Sequence, residues 1–277
     1  TEIYTLSLHD ALPIYIKGLQ DAIDIAGYGT TIQVLPGNYQ GPFVLKSGIS
    51  LVGAGEKTIL SALGEHIITA TDVRECRVEN FHIVGHIHLR HSHILWKNNQ
   101  LENNASLSFY CFGIHGSSDI SIEKCTIKGA LLCSQYSTLK MIANDLLDSP
   151  SKDDARIILS GHAKAFLEQN TIKANQSKGI LLLEQSTARC HKNQIHFATY
   201  AIFLQDHALL EMEENILTQN HTGIFCSKES RAKIYKNNIS SNSQYGIYFI
   251  KPGNIEEKEN LFYENAKGNF FSEQTKQ

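Results

Sequence analysis

The sequence predicts an all-β fold: a solenoid of about 10 stacked coils of short strands, opened by a short capping helix. Three observations predict it. An Asn returns at 99, 144, 170, 193, 215, 237 and 260, with Cys125 filling the one gap, at spacings of 26, 19, 26, 23, 22, 22 and 23 residues. A large apolar residue follows two positions later each time: Leu101, Ile127, Leu146, Ile172, Ile195, Leu217, Ile239 and Phe262. Small side chains recur with the same period at Ser92, Ser118, Ser137, Ala163, Ser186, Ala208, Ser230 and Gly253. Within each unit the apolar positions fall in twos, in runs broken by Asn, Ser and Gly, which is the period of strands and not of helical repeats.

Each column has a physical reason. Units stacked about 4.8 Å apart bring equivalent residues into contact, so an inward Asn finds the next Asn and the turn backbone as partners and avoids the cost of an unsatisfied buried amide. Asn80 extends this ladder backwards in the same reading, and a looser column of Asn175, Asn220, Asn242 and Asn265 marks the next turn. In the first strand of each unit, pairs such as Ile180 and Leu182, or Ile202 and Leu204, face inward. The residue between them faces outward and reads Leu132, Ile158, Leu181, Phe203, Phe225 and Tyr248. By contrast, the next strand of the unit turns mixed charge outward: Lys140, Arg189, Glu211, Lys233 and Glu256.

Along the chain, residues 1–14 (TEIYTLSLHDALPI) do not fit the pattern of the remaining residues and resemble a translated sequencing adapter. They are set aside as an artefactual or disordered leader, so the natural N-terminus, with any signal peptide, is expected to be missing. Residues 15–30 carry the capping helix, with Ile16, Leu19, Ile23 and Ala26 on one apolar face that plugs the open end of the stack. Coils are expected over 31–265 and a polar tail over 266–277. With 277 residues, 42% of them hydrophobic, the chain can bury a continuous core. A net charge of −3 with scattered Lys and Arg predicts no nucleic-acid partner, and no run of about 18 apolar residues predicts a membrane span.

The stretch IKGLQDAIDIAGYGTTIQVLPGNYQGPFVLKSGISLVGAGEKTIL, residues 16–60, resembles the opening of right-handed parallel β-helices of the pectin-lyase-like superfamily. There a short helix precedes a TI-x-V-x-PG-x-Y strand and a GISLVGAG coil. The Asn repeat resembles the same group, which implies a single-stranded right-handed parallel β-helix. It does not imply one activity, because the superfamily holds lyases, polygalacturonases, esterases, epimerases, tailspikes and adhesins. Asp153, Asp154, Arg156, Gly161 and His162 superficially resemble polygalacturonase elements. Here they crowd into one coil without the family's complete triplets, and no role is carried over.

The candidate site is therefore the outward stripe Leu132, Ile158, Leu181, Phe203, Phe225 and Tyr248, with Tyr200 and Tyr245 beside it. As weaker catalytic candidates, Glu184 and Asp206 occupy consecutive coils and would share a proton or a cation, with His162 and His207 next to them. Lys228 continues their column as a counter-ion. His86 and His88 stand in a His-rich strand, HIVGHIHLRHSHIL. A one-residue slip there puts Ile87 and Leu89 inside and both His on a solvated face, ahead of a metal-binding reading. Neither Ca2+ nor a transition metal is supported by a full ligand set, so no cofactor is predicted.

The cysteines at 76, 111, 125, 133, 190 and 226 fall in apolar columns without consecutive pairs, as buried free thiols that lean toward a cytoplasmic location. The preferred function is a non-catalytic module binding a polysaccharide or a protein, with self-association through the stripe as one form. A carbohydrate-active enzyme, lyase or hydrolase, is the alternative, and a structural stalk or passenger the third.

Overall fold

The computed structural model describes residues 4–7, 14–16, 18–103, 110–147, 155–227, 229–251 and 254–273. Asp153, Asp154, Lys228, Gly253 and the side chain of Ile16 lie outside the described residues.

The chain winds as an all-β parallel solenoid with three faces, each strand pairing with its equivalent one coil away. The first sheet contains Tyr110–His115, Ala130–Cys133, Ala155–Leu159, Lys178–Leu182, Tyr200–Leu204, Thr222–Cys226 and Tyr245–Phe249. Strands such as Thr187–His191 and Leu209–Glu213 build the second sheet, and three-residue strands such as Gln194–His196 and Ile216–Thr218 the third. In the earliest coils, Ser50–Thr71 and Cys76–Arg90 run round the corners as continuous strands. The helix is shorter than expected, Leu19–Ile25, and buries Leu19, Ala22 and Ile23 against the first coil. Two short strands precede it, Tyr4–Ser7 and Ile14–Ile16, and the first lies antiparallel to Thr31–Val34. Among the described residues no helix is long and apolar enough to cross a membrane.

The Asn ladder is the central polar feature. Asn193 Nδ2 donates to the Leu167 carbonyl at 2.7 Å and to Asn215 Oδ1 at 2.9 Å, while its own Oδ1 accepts from the backbone N–H of Asn170 at 3.0 Å. The same pattern holds through Asn144, Asn170, Asn215 and Asn237 to Asn260. Every donor and acceptor of the turn is thus satisfied inside the core, where an unpaired amide would cost about 1–3 kcal/mol. Asn99 begins the run, and Cys125 stands in it as a thiol accepting from the Asn99 backbone at 3.4 Å. The small residues Ser92, Ser118, Ser137, Ala163, Ser186, Ala208 and Ser230 are buried at the opposite corner.

Two ladder positions are one residue away from the sequence expectation. Asn99 Oδ1 accepts from the Phe81 N–H, so Phe81 and not Asn80 occupies the ladder. Asn80 instead takes the left-handed conformation (φ 59°) shared by Gln169, Lys192 and Glu214, the residues just before each ladder Asn. Likewise the buried residue at this coil's second corner is Ala174, whereas Asn175 is exposed with left-handed backbone (φ 40°), and the second ladder is formed by Asn220, Asn242 and Asn265 over Ala198. Most left-handed corner residues are polar, so an Asn at or beside that corner reads from sequence as a ladder member.

The solenoid also runs past residue 265. Gly268–Ser272 pairs with Tyr245–Phe249 as a further strand, in place of the expected polar tail. All six cysteines are buried and free, and burial pushes the Cys133 and Cys190 thiols up to about 12.

Candidate functional site

The outer face of the first sheet carries the stripe as one continuous column. Register places His88, Gly113, Leu132, Ile158, Leu181, Phe203, Phe225, Tyr248 and Phe271 in line, one per coil. The inward neighbours from Ile87 to Ile247, such as Ile202 and Leu204, have no solvent exposure, so the alternation expected for a strand with one buried face is present until the last coil, where Phe249 is half-buried and Phe270 exposed. The stripe is not uniform, however, and three zones differ.

In the middle, Ile158 and Leu181 are only 6% and 4% exposed and cluster with Ala155, Tyr110, Leu132, Leu183 and Phe203. These two members are thus packed and not free surface, a correction to the expectation of an open stripe. Toward the C-terminal end the column becomes an aromatic stack, half-buried and open to solvent. Phe203 and Phe225 stack at 4.4 Å and 13°, Phe225 and Tyr248 at 5.2 Å, and Tyr248 and Phe271 at 4.9 Å. Tyr200 crosses Phe203 and Phe225 at 76° and 68°, Tyr245 stacks on Phe271 at 4.7 Å, and Lys178 Nζ lies 5.4 Å from the Phe203 ring centre. Burial and a hydrogen bond to Glu273 push the Tyr248 phenol up to about 12, so it stays a donor at neutral pH. Phe271 is the stripe member that the sequence pattern left out, and extending the register by one more coil finds it.

At the N-terminal end the same face carries imidazoles. His66, His86, His88 and His115 approach one another with ring centres 5.0 Å (66–86), 5.2 Å (66–88) and 5.1 Å (88–115) apart. The slip that puts Ile87 and Leu89 inside is present, but His86 is only 7% exposed, so it does not lie on a solvated face. It donates from Nδ1 to the Tyr110 carbonyl at 2.7 Å. Room for this comes from Gly113, where an added Cβ would stand 3.2 Å from His86 Nε2 and 2.8 Å from His115 Nε2. Among the described residues no three His, Cys, Asp or Glu side chains converge as a metal site.

Burial, reinforced by the charges of His88, His86 and Arg90, holds the His115 imidazole below its usual range, and burial does the same for His196 beside Lys173. Both groups prefer the neutral form when folded, so the unfolded chain binds more protons. Their stabilising contribution is complete above about pH 6.5 and is lost as pH falls through the folded values. A thermal melt is therefore expected to drop on acidification, and a His115→Gln, His196→Gln double variant to drop less. Equal slopes for both proteins would refute the assignment.

The catalytic candidates lie at the corner between the first and second sheets. Glu184 and Asp206 both take left-handed backbone (φ 58° and 55°). Asp206 Oδ2 accepts from the Glu184 N–H at 3.0 Å, and the Glu184 carboxylate accepts from the Gly161 N–H at 2.5 Å. Each acid thus caps the corner of the coil before it. His207 donates its backbone N–H to the Glu184 carbonyl, and His162 stacks on Tyr136 at 4.8 Å; all four candidates are exposed. The structure brings the two acids together as expected, with lone pairs directed at backbone.

The second sheet is solvated and self-neutralising. Arg189 pairs with Glu211 at 2.9 Å, Lys233 approaches Glu211 at 3.8 Å and Lys236 pairs with Glu213 at 3.0 Å. Phe166, 41% exposed, interrupts this charge column and borders a shallow groove of about 550 Å3 that reaches Tyr235.

The solved structures that resemble this one carry the same winding at low identity. The A-module of the mannuronan C-5 epimerase AlgE4 of Azotobacter vinelandii superposes with a TM-score of 0.61 at 13% identity, covering 91% of each chain. An exopolygalacturonase from Thermotoga maritima gives 0.61 at 12% identity, over 92% of this chain and 85% of that one. An alginate lyase from Paenibacillus sp. str. FPU-7 gives 0.52 at 13%, over 92% and 94%. No curated protein sequence matches. These likenesses establish a shared fold. The family described as "Right handed beta helix region" matches residues 66–231 and 157–276, and the ladder, the three parallel faces and this match together make the chain a member of the right-handed β-helix family.

Proposed function

We propose that the chain is a non-catalytic binding module that holds a polysaccharide along the outer face of its first sheet. The observation that carries this reading is the half-exposed stack of Phe203, Phe225, Tyr248 and Phe271, crossed by Tyr200 and joined by Tyr245. Contiguous apolar surface is unfavourable in water unless a partner covers it. Rings repeating once per coil, about 4.8 Å apart, match the length of one pyranose unit, so a glycan lying along the axis meets an equivalent ring at each sugar. The stacked coils hold these rings in place before binding, which lowers the ordering cost. The similar structures include a mannuronan C-5 epimerase module, an exopolygalacturonase and an alginate lyase, which adds a polysaccharide precedent on this fold.

Polysaccharide retention on an immobilised glycan panel tests the reading. Phe225→Ala and Tyr248→Ala are each expected to weaken binding roughly tenfold while the protein stays folded. Binding unchanged in both discards the stripe. A protein partner or a second copy on the same surface would instead appear as a concentration-dependent mass in sedimentation that Phe225→Ala abolishes.

A carbohydrate-active enzyme is the second reading. It is favoured by the imidazoles of His86, His88 and His115 on the same outer face, of which His115 is held neutral. Turnover of polysaccharide that disappears in Glu184→Gln, Asp206→Asn or His115→Gln would replace the binding-module reading.

A further inference from the structure

The corner between the third and first sheets holds a side chain that neither ladder nor stripe accounts for. Phe197 occupies the left-handed corner position (φ 60°), which Gln219, Ser241 and Glu264 fill in the next three coils (φ 59°, 53° and 53°). A bulky aromatic in that region is strained, and the neighbouring coils make the same turn with polar residues, so the turn itself has no need of a ring. Phe197 is also 49% exposed. Strain and exposed apolar area both disfavour this residue in the free protein, and the ring makes a tilted contact with His196 at 6.1 Å.

Around the ring lies an open notch of about 720 Å3, whose lining carries no Asp, Glu, Lys or Arg. Asn175, Gln176, Gln219 and His221 supply its polar walls. Among the described residues, the side-chain amides of Asn175, Gln176 and Gln219 make no hydrogen bond to protein, whereas the amides of Asn220 and Asn242 beneath are consumed by the second ladder. His221 spends one ring nitrogen on Ser243 Oγ at 3.2 Å. Near the notch, charges of opposite sign include Lys173, which acts on His196, and Glu264, which accepts from Ser241 Oγ at 3.1 Å. At the floor, Thr199 Oγ1 donates to the Gln176 carbonyl.

We propose that this notch binds a neutral saccharide, with one sugar ring on Phe197 and its hydroxyls bridged by the Asn175, Gln176 and Gln219 amides and His221. An exposed ring flanked by paired donors and acceptors is the chemistry that recognises a pyranose. Carboxylated sugars call for Arg or Lys opposite the carboxylate, and the walls hold neither. Neither Tyr200 nor any other residue of the stripe lines the notch, so it is separate from the stripe. This inference does not rest on the stripe reading and goes beyond it, since it names a second site and a charge class.

Calorimetric titration of the full chain with neutral gluco-, manno- and xylo-oligosaccharides, and with oligogalacturonate and oligomannuronate, tests it. Neutral oligosaccharides are expected to bind. Phe197→Asn removes the platform but suits left-handed backbone, so affinity should fall roughly tenfold while the melting temperature holds or rises. Gln219→Ala should weaken the same ligands. The proposal is overturned if no neutral oligosaccharide binds saturably, if only the acidic ones bind, or if Phe197→Asn leaves affinity unchanged. A lowered melting temperature in Phe197→Asn also overturns it, because the ring is then a packing residue. Loss of neutral binding in Phe225→Ala alone sinks the notch and keeps the stripe; loss in Phe197→Asn alone does the reverse.

Discussion

Asn193→Ala is expected to be among the most damaging single substitutions, lowering stability by about 4 kcal/mol and the melting temperature by roughly 8–15 °C. The reason is the number of groups that depend on one amide. Without it the Asn170 N–H, the Leu167 carbonyl and the Asn215 Oδ1 lose partners at a site with no solvent exposure. Each such group costs about 1–3 kcal/mol when water cannot reach it. Asn260 supplies the control: it accepts the same bond from Asn237 but is half-buried at the ladder's end, where water substitutes, so Asn260→Ala should cost about a third as much. In a repeat stack damage spreads to nearest neighbours, and amide exchange at Asn170 should accelerate before exchange at distant coils. Equal melting shifts for the two variants would contradict the ladder as the source of stability.

Gly223→Ala carries the second large effect, about 3 kcal/mol, for the opposite reason. Nothing is removed; a methyl is forced into a closed contact. The new Cβ would stand 2.4 Å from the Gly246 carbonyl oxygen of the next coil and 2.8 Å from Ile239 Cγ2. The oxygen belongs to backbone held in a parallel ladder, so relief requires the coils to separate. Phe225 and Tyr248 ride on those two strands, and their stack should open with them. Stability by thermal melt and any binding by the stripe should therefore decline together, although Gly223 itself is buried. Gly27→Ala, whose Cβ would meet only Thr30 Oγ1 at 3.8 Å, should be close to neutral. A Gly223→Ala protein as stable as Gly27→Ala would show that coil spacing tolerates the methyl.

By itself the sequence determined the winding, because a periodic chain states the same instruction many times. Asn at 144, 170, 193, 215 and 237, alternating pairs such as Ile202 and Leu204, and the outward Phe203, Phe225 and Tyr248 are legible since one error in one coil leaves the register of the others intact. Only the tertiary structure decided what depends on a single corner or on coils of unequal length. A left-handed corner residue displaces the ladder by one position, so Phe81 replaces Asn80, and Asn175 is itself left-handed and exposed beside the buried Ala174. The lone pairs of Glu184 and Asp206 turn along the stack toward backbone N–H groups, a direction that no spacing records. His66, His88 and His115 meet from three successive coils, and Ile158 and Leu181 are covered although their column faces out. Those facts rest on side-chain direction and on contacts between residues roughly one coil apart, set by packing in three dimensions rather than by the repeat.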